Sequence, residues 1–204
     1  MSTVWDLLPA MSVFAFVTAM TPGPNNFLLA SSGAQFGIRQ SLRHLVGIRI
    51  GVIGLVLLCA GGVALALKQH PELYRVLQFL GLGYMLWLVV KLMCFNAIGK
   101  SGSAGKPLSM KQAMLFQLGN VKAWMGSLAL VTSYSLPSHY WLSVFNIVVV
   151  FTVFGLFANT CWAGVGRWIN QYLNTSLKQR AFNVSLGCMT LLSLLPAITE
   201  MIKL

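Results

Sequence analysis

Acidic residues are nearly absent from this chain, and charge of either sign is scarce. Only three Asp or Glu occur among 204 residues, and charged residues make up 8% of the sequence. A soluble domain carries about 25% charged residues, so this chain has too little polar surface to cover a globule in water. We therefore predict a membrane protein. The shortage also argues against an intramembrane aspartyl protease, which needs two carboxylates.

Cysteine pairs, and basic residues gathered into one patch, are missing too. The four cysteines form no C-x-x-C motif, so neither a zinc site nor a redox pair is indicated. Each lies in or beside an apolar block, where a small buried side chain is expected. The net charge of +11 is spread over short connectors, which favours a lipid bilayer as partner over nucleic acid. We expect no cofactor, no metal and no cleavable signal peptide.

Long apolar blocks are what the sequence has in abundance. Hydrophobic residues are 57% of the chain, and each block approaches the ~20 residues that cross ~30 Å of hydrocarbon. Solid apolar runs without alternation indicate helices, not a barrel. The prediction is one all-α polytopic domain of six transmembrane helices, over residues 7–30, 45–67, 73–93, 113–136, 141–165 and 182–202.

The basic residues predict the orientation of these spans. Ten lie at the first, third and fifth connectors, against three on the opposite side, so both termini should be periplasmic in a bacterial inner membrane. The ten are Arg39, Arg43, Arg49, Lys91, Lys100, Lys106, Lys111, Arg167, Lys178 and Arg180; the three are Lys68, Arg75 and Lys203.

A Gly/Ser-rich linker, residues 100–107, divides the spans into three and three. Two halves of three spans have opposite orientations, as in transporters built from inverted repeats. Similarity between the halves is weak, so the repeat is an interpretation of the organisation alone.

Two prolines interrupt the first predicted span. Pro22 and Pro24 lack N–H donors, so the carbonyls of Thr18 and Met20 lose their helical partners. Gly23 between them adds backbone freedom. In lipid, such a break is tolerated where it faces protein or a water-filled cavity. The segment therefore indicates a ligand site, and a packing kink is the alternative.

Polar side chains accompany this break. Asn25 and Asn26 follow it directly, and Gln117, Asn120 and Lys122 lie in the fourth span. Lys122 is about 14 Å inside that span at 1.5 Å per residue, beyond the reach of a snorkelling side chain. A cation there is costly and should face a polar cavity; an interfacial anchor is the alternative. Both clusters fall near mid-membrane and could line one site.

Three further features have a structural interpretation beside or instead of a functional one. Asn159 in the fifth span either joins the site or bonds a neighbouring helix. His44 and Arg49, near the start of the second span, are expected to be interfacial anchors. Gly47 and Gly51 form a G-x-x-x-G pair, which predicts close helix packing.

These motifs resemble the LysE/RhtB family of bacterial amino-acid exporters over essentially the whole chain. The resemblance rests on residues 20–25, Met-Thr-Pro-Gly-Pro-Asn, and on 120–123, Asn-Val-Lys-Ala. Val121 stands where most of the family have proline, which predicts that the fourth helix lacks a second break. Residues 58–61 and 157–162 are similar to the branch that exports cysteine and O-acetylserine.

The resemblance implies efflux of small neutral amino acids, either cysteine-like and O-acetylserine-like substrates or threonine, homoserine and leucine, by a protein that is not an enzyme. For a zwitterion we assign Lys122 to the carboxylate. The freed carbonyls of Thr18 and Met20, with Asn25 and Asn26, suit the ammonium. An intramembrane thiol-redox carrier or other membrane enzyme, and a membrane scaffold, are the alternatives. The substrate, the coupling ion and homo-oligomerisation stay open.

Overall fold

The computed structural model describes residues 3–63, 66, 69, 71–94 and 107–202. Within these ranges the chain is all-α, without a strand, as predicted. The predicted linker at 100–106, Lys68 and Lys203 lie outside the described residues, as do the side chains of Arg75 and Lys91. The helices are α1 Leu8–Met20, α2 Pro24–Ala60, α3 Pro71–Met93, α4 Met110–Gly119, α5 Val121–Tyr134, α6 Tyr140–Asn170 and α7 Ser176–Ile202.

The 37-residue helix α2 folds back on itself at Gly37. This glycine has φ 75° and ψ 170°, a conformation that favours glycine. The hydroxyls of Ser32 and Ser41 are 2.7 Å apart, although nine residues of straight helix would separate them by about 13 Å. The predicted boundaries at residues 30 and 45 are therefore wrong. The chain stays helical between them except at one residue, which forms the whole connector.

Three other predicted boundaries also move. Helix α2 ends at Ala60, seven residues before the predicted end, because Gly61 and Gly62 follow and Gly62 has φ 81°. Helix α6 continues five residues past the predicted end, to Asn170, because no proline follows there. Helix α7 begins at Ser176, six residues early, where the Thr175 hydroxyl accepts a hydrogen bond from the backbone N–H of Lys178 at 3.3 Å.

Small residues let the helices approach closely. A Cβ added at Gly33 would collide with the carbonyl of Ala163, and one at Gly166 with that of Ala30, so α2 and α6 touch backbone to backbone. The G-x-x-x-G pair packs on α4 in the same way: a Cβ at Gly51 would lie 2.8 Å from the Met114 carbonyl. The predicted close packing is confirmed.

Large apolar side chains cover the outside of the bundle. Val13 on α1, Leu80 on α3, Met125 on α5, Phe145 on α6 and Leu192 on α7 are each more than 60% exposed. Soluble monomers rarely expose apolar patches beyond a few hundred Å², so this surface fits lipid. Among the described residues, Pro24–Ala60 and Pro137–Asn170 are long and apolar enough to qualify as spans by themselves. The count of six spans stays a prediction.

Candidate substrate-binding site

The first helix break lies where the sequence predicts it. Helix α1 ends at Met20, and α2 begins at Pro24. Thr21 has ψ 134°, and Gly23 is fully extended at φ 179° and ψ 178°. The missing N–H groups of the two prolines and this extended backbone leave several carbonyls without helical partners.

Side chains from elsewhere satisfy most of these carbonyls. The amide Nδ2 of Asn26 donates to the carbonyls of Ala19 and Thr21, both at 2.9 Å. The indole Nε1 of Trp162, on α6, donates to the Met20 carbonyl at 3.2 Å. Asn26 is 4% exposed, so this network replaces the helical bonds inside the protein.

A second break occurs at Asn120, between α4 and α5, and the prediction of an unbroken fourth helix is wrong. Asn120 has φ −83° and ψ 91°, and its carbonyl accepts from the N–H of Ala123 at 2.9 Å as α5 begins. The break occurs without a proline, and Gly119 ends α4 in backbone contact with Gly81 of α3. A tertiary contact thus accompanies the break that Val121 alone does not dictate.

Lys122 joins the two breaks. Its Nζ donates to the carbonyl of Thr21 at 2.5 Å and to that of Pro22 at 3.2 Å. The side chain crosses Gly23, where an added Cβ would lie 3.0 Å from Lys122 Cδ. The lysine therefore faces the broken backbone of the first helix and not the membrane interface.

A pair of amides also links the broken helices. Asn25 and Gln117 exchange two hydrogen bonds, at 2.9 and 3.0 Å. Gln117 Nε2 donates also to the Ala113 carbonyl at 2.9 Å, and its Oε1 accepts from Asn120 Nδ2 at 3.3 Å. The polar clusters of the first and fourth predicted spans thus lie side by side.

A cavity of about 40 Å³ opens between these elements. At about 10–15 Å³ for each water, it holds roughly three, so it must widen to admit a larger solute. Three predicted site residues do not line the cavity: Pro22 and Gln117 are hydrogen-bonded to residues that do, and Met20 is hydrogen-bonded to Trp162, which also lies outside the lining. None of the four cysteines lines it. The lining residues are Thr18, Ala19, Gly23, Pro24, Asn25, Asn26, Arg49, Val52, Asn120, Lys122, Ala123, Phe151 and Asn159.

Comparison with known proteins shows which family the chain belongs to. The sequence profile of the family described as "LysE type translocator" matches residues 16–194, most of the chain and both breaks. The chain belongs to the LysE type translocator family. The resemblance of its motifs to that family is confirmed, and the protein is a membrane transporter.

Several curated relatives of this LysE family member share one name. It is 36% identical, over 161 residues, to proteins named "Cysteine/O-acetylserine efflux protein" from Escherichia coli (strain HS), Shigella sonnei and Shigella flexneri. The aligned region covers 78% of this chain and 82% of each relative. No solved structure matches the chain.

Two predictions about basic residues of this translocator are wrong. His44 and Arg49 are not interfacial anchors, because they are only 1% and 8% exposed. Arg49 lines the cavity, and its Nη1 donates to the Phe151 carbonyl at 3.3 Å. It follows the Gly37 turn by twelve residues, about 18 Å of helix. The predicted second span begins late, at residue 45, so the sequence places Arg49 near the interface. A basic residue deep inside a span is the signal that points to Lys122, and for Arg49 that signal is hidden.

The cysteines depart from prediction as well. Cys59 is buried, as expected, but Cys161 is only partly buried, and Cys94 and Cys188 are exposed on the apolar surface. All four are free thiols. Their separation from the cavity gives no support to a thiol-redox carrier.

Proposed function

We propose that this LysE family member exports small neutral amino acids or close derivatives, such as cysteine and O-acetylserine, out of the cytoplasm across a bacterial inner membrane. The names of its curated relatives support this substrate class. The single observation that carries the proposal is the polar cavity at the meeting point of two broken helices. Transporters of other folds bind substrates at such discontinuous helices near the bilayer centre.

The chemistry of the cavity walls suits a zwitterion. Two of the three N–H donors of Lys122 bond to carbonyls of the first break, and the third is available for a carboxylate. The carbonyl of Thr18 has no helical partner because Pro22 lacks an N–H. This carbonyl and the amide oxygens on the cavity walls accept hydrogen bonds from an ammonium. Asn25 and Asn26 line the same cavity, beside the position of this ammonium.

The topology supports both termini on the periplasmic side. Gly37, the first connector, lies beside Arg167 at the end of α6: a Cβ at Gly37 would be 3.1 Å from Arg167 Nη1. At the other end of the bundle, the Tyr140 hydroxyl donates to the Ala60 carbonyl at 2.7 Å. The connectors therefore lie at two opposite ends of the bundle, and exposed basic residues cluster at the end that contains Gly37.

Burial of Arg49 removes one residue from the predicted cytoplasmic set without cancelling the excess of positive charge. Reporter fusions at Gly102 and Leu204 test the orientation. We expect cytoplasmic activity at Gly102 and periplasmic activity at Leu204. Cytoplasmic activity at Leu204 would remove the orientation proposed for the spans.

The two breaks support three-plus-three organisation. One break lies near the start of the first half of the chain, and the other lies near the start of the second half. Inverted repeats produce this arrangement, with the two discontinuous helices facing one another at the substrate site. We therefore keep the inverted repeat as part of the proposal.

Counterflow in proteoliposomes tests export. Vesicles holding the full-length protein are loaded with unlabelled cysteine, O-acetylserine, threonine or leucine, and uptake of the labelled compound is followed. We expect exchange of cysteine and O-acetylserine above that of protein-free vesicles. Absence of exchange with all four would refute this substrate class.

A further inference from the structure

We propose that Arg49 binds the substrate carboxylate together with Lys122, while the side-chain oxygens of Asn120 and Asn159 bind the ammonium. The assignment deepens the proposed export of amino acids and rests on it. It comes from unpartnered polar atoms that share one cavity. Arg49 is the member of this group that the sequence motifs do not single out.

The guanidinium of Arg49 is incompletely satisfied. Its Nη1 donates to the Phe151 carbonyl, whereas its Nε has no hydrogen-bond partner among the described residues. No acid lies in the described lining of the cavity to balance its charge. A buried cation without a partner is costly, and a carboxylate is the group that a guanidinium binds best, through two parallel hydrogen bonds.

Asn159 presents an oxygen, and its orientation is fixed by a chain of hydrogen bonds. Asn26 must donate through Nδ2 because its partners, at Ala19 and Thr21, are carbonyls. Its Oδ1 therefore accepts, and Asn159 Nδ2 is the donor, at 3.3 Å. Asn159 Oδ1 is left buried without a partner among the described residues.

Asn120 is oriented in the same way from the other broken helix. Gln117 must donate through Nε2 to the Ala113 carbonyl, so its Oε1 accepts. Asn120 Nδ2 is then the donor at 3.3 Å. Its Oδ1 is buried without a partner among the described residues.

The cavity thus holds one unsatisfied cationic donor and two unsatisfied acceptors. Arg49, Asn120 and Asn159 are 8%, 2% and 2% exposed, and each comes from a different helix or helix break. A buried polar atom without a partner is destabilising, and an α-amino acid supplies both the anion and the N–H donors that would satisfy all three. The arrangement selects for a free carboxylate and a free ammonium on one small molecule.

Binding of L-cysteine and its carboxamide to the detergent-solubilised full-length protein tests the role of Arg49 without requiring transport. The carboxamide keeps the ammonium and loses the anion. Affinity is obtained from the ligand-dependent rise of the melting temperature. We expect the wild type to bind the carboxamide roughly 10- to 100-fold more weakly, the range of a charge-assisted hydrogen bond.

Arg49→Gln should reduce this discrimination to the share that Lys122 supplies. It should weaken cysteine binding at least about tenfold and leave carboxamide binding within about threefold. Arg43→Gln is the matched control, since it removes an exposed charge from the same helix. If Arg49 only links helices, both ligands lose affinity equally and the preference for the carboxylate survives.

Gly155→Ala provides a variant that keeps the arginine. An added Cβ at Gly155 would collide with the guanidinium of Arg49, whereas one at Gly164, on the same helix, meets nothing within 4 Å. Gly155→Ala should therefore reduce the preference for the carboxylate, and Gly164→Ala should not. This pair keeps the test valid where Arg49→Gln fails to fold.

The ammonium side is tested with 3-mercaptopropionate, which is cysteine without its amino group. Asn159→Leu should weaken cysteine binding about tenfold, roughly one hydrogen bond to a charged group, and leave 3-mercaptopropionate binding unchanged. Asn146→Leu, a buried amide of the same helix outside the cavity lining, should affect neither.

The outcomes separate this inference from the proposed export. Equal wild-type affinity for cysteine and its carboxamide, or no binding of either, would overturn the role of Arg49. Discriminating binding that Arg49→Gln reduces would support the inference even where counterflow shows no export, and would then count against the proposed function alone.

Discussion

Replacing Lys122 with methionine gives a sharp test of how the two broken helices form a binding site. Methionine keeps an unbranched apolar chain beside Gly23 and removes the cation. The carbonyl of Pro22 loses its bond from Nζ, and that of Thr21 keeps its bond from Asn26. The change therefore removes a charge and two contacts while leaving the shape of the site nearly intact.

Stability should change little on this substitution. Hydrogen bonds to charged groups contribute about 1.5–3 kcal/mol each, and a cation near the membrane centre costs at least ~2.5–3.5 kcal/mol. The two effects have opposite signs and similar size. Since 1 kcal/mol shifts the melting temperature of a chain of this length by about 2–4 °C, we expect a shift of a few degrees.

Transport should change much more than stability. If the third N–H of Lys122 binds the carboxylate, its loss should lower substrate affinity roughly 10- to 100-fold. Efflux is measured as rate per amount of inserted protein, with the melting temperature as the control for folding. Lys122→Arg should recover little, because a planar guanidinium cannot occupy the position of a compact ammonium between two carbonyls. Near-normal efflux by Lys122→Met at normal abundance would refute a role for this residue in binding.

Two backbone predictions follow from the same site. Changing Pro22 and Pro24 together to Ala should restore helical N–H donors, keep the protein inserted and abolish export; normal counterflow would show that the break serves packing alone. Gly23→Ala should displace the Lys122 side chain, because its Cβ would lie 3.0 Å from Cδ, and should raise the KM several-fold. Gly54→Ala, where nothing lies within 4 Å, is the matched control and should leave the KM unchanged.

Local chemistry made the first break predictable. Proline removes an N–H and fixes φ wherever it occurs, so Pro22 and Pro24 interrupt the helix whatever surrounds them. The deep position of Lys122 followed from helix rise alone. Seven of the eight predicted residues that line the cavity lie beside these two signals. The eighth, Asn159, was predicted either to join the site or to bond a neighbouring helix.

The second break depends on contacts distant in sequence. Val121 permits a helix, yet Asn120 is extended, and α4 ends where Gly119 meets Gly81. Similarly, no local sequence pattern shows that the chain reverses direction at Gly37. The hydrogen bond between Ser32 and Ser41 in the folded protein shows this reversal.

By itself the sequence determined that the protein is surrounded by lipid, that it is helical, where the first helix breaks and which family it belongs to. Each of these depends on composition or on residues adjacent in the chain. Tertiary structure alone decided which polar atoms are left without partners. Asn25 is hydrogen-bonded to Gln117, and Asn26 is hydrogen-bonded to carbonyls of the broken backbone. Arg49 and Asn159, in contrast, keep polar atoms without partners in the cavity. The bond of Asn25 to Gln117 joins residues 92 positions apart, and that of Asn159 to Asn26 joins residues 133 positions apart. Local sequence patterns do not encode such bonds.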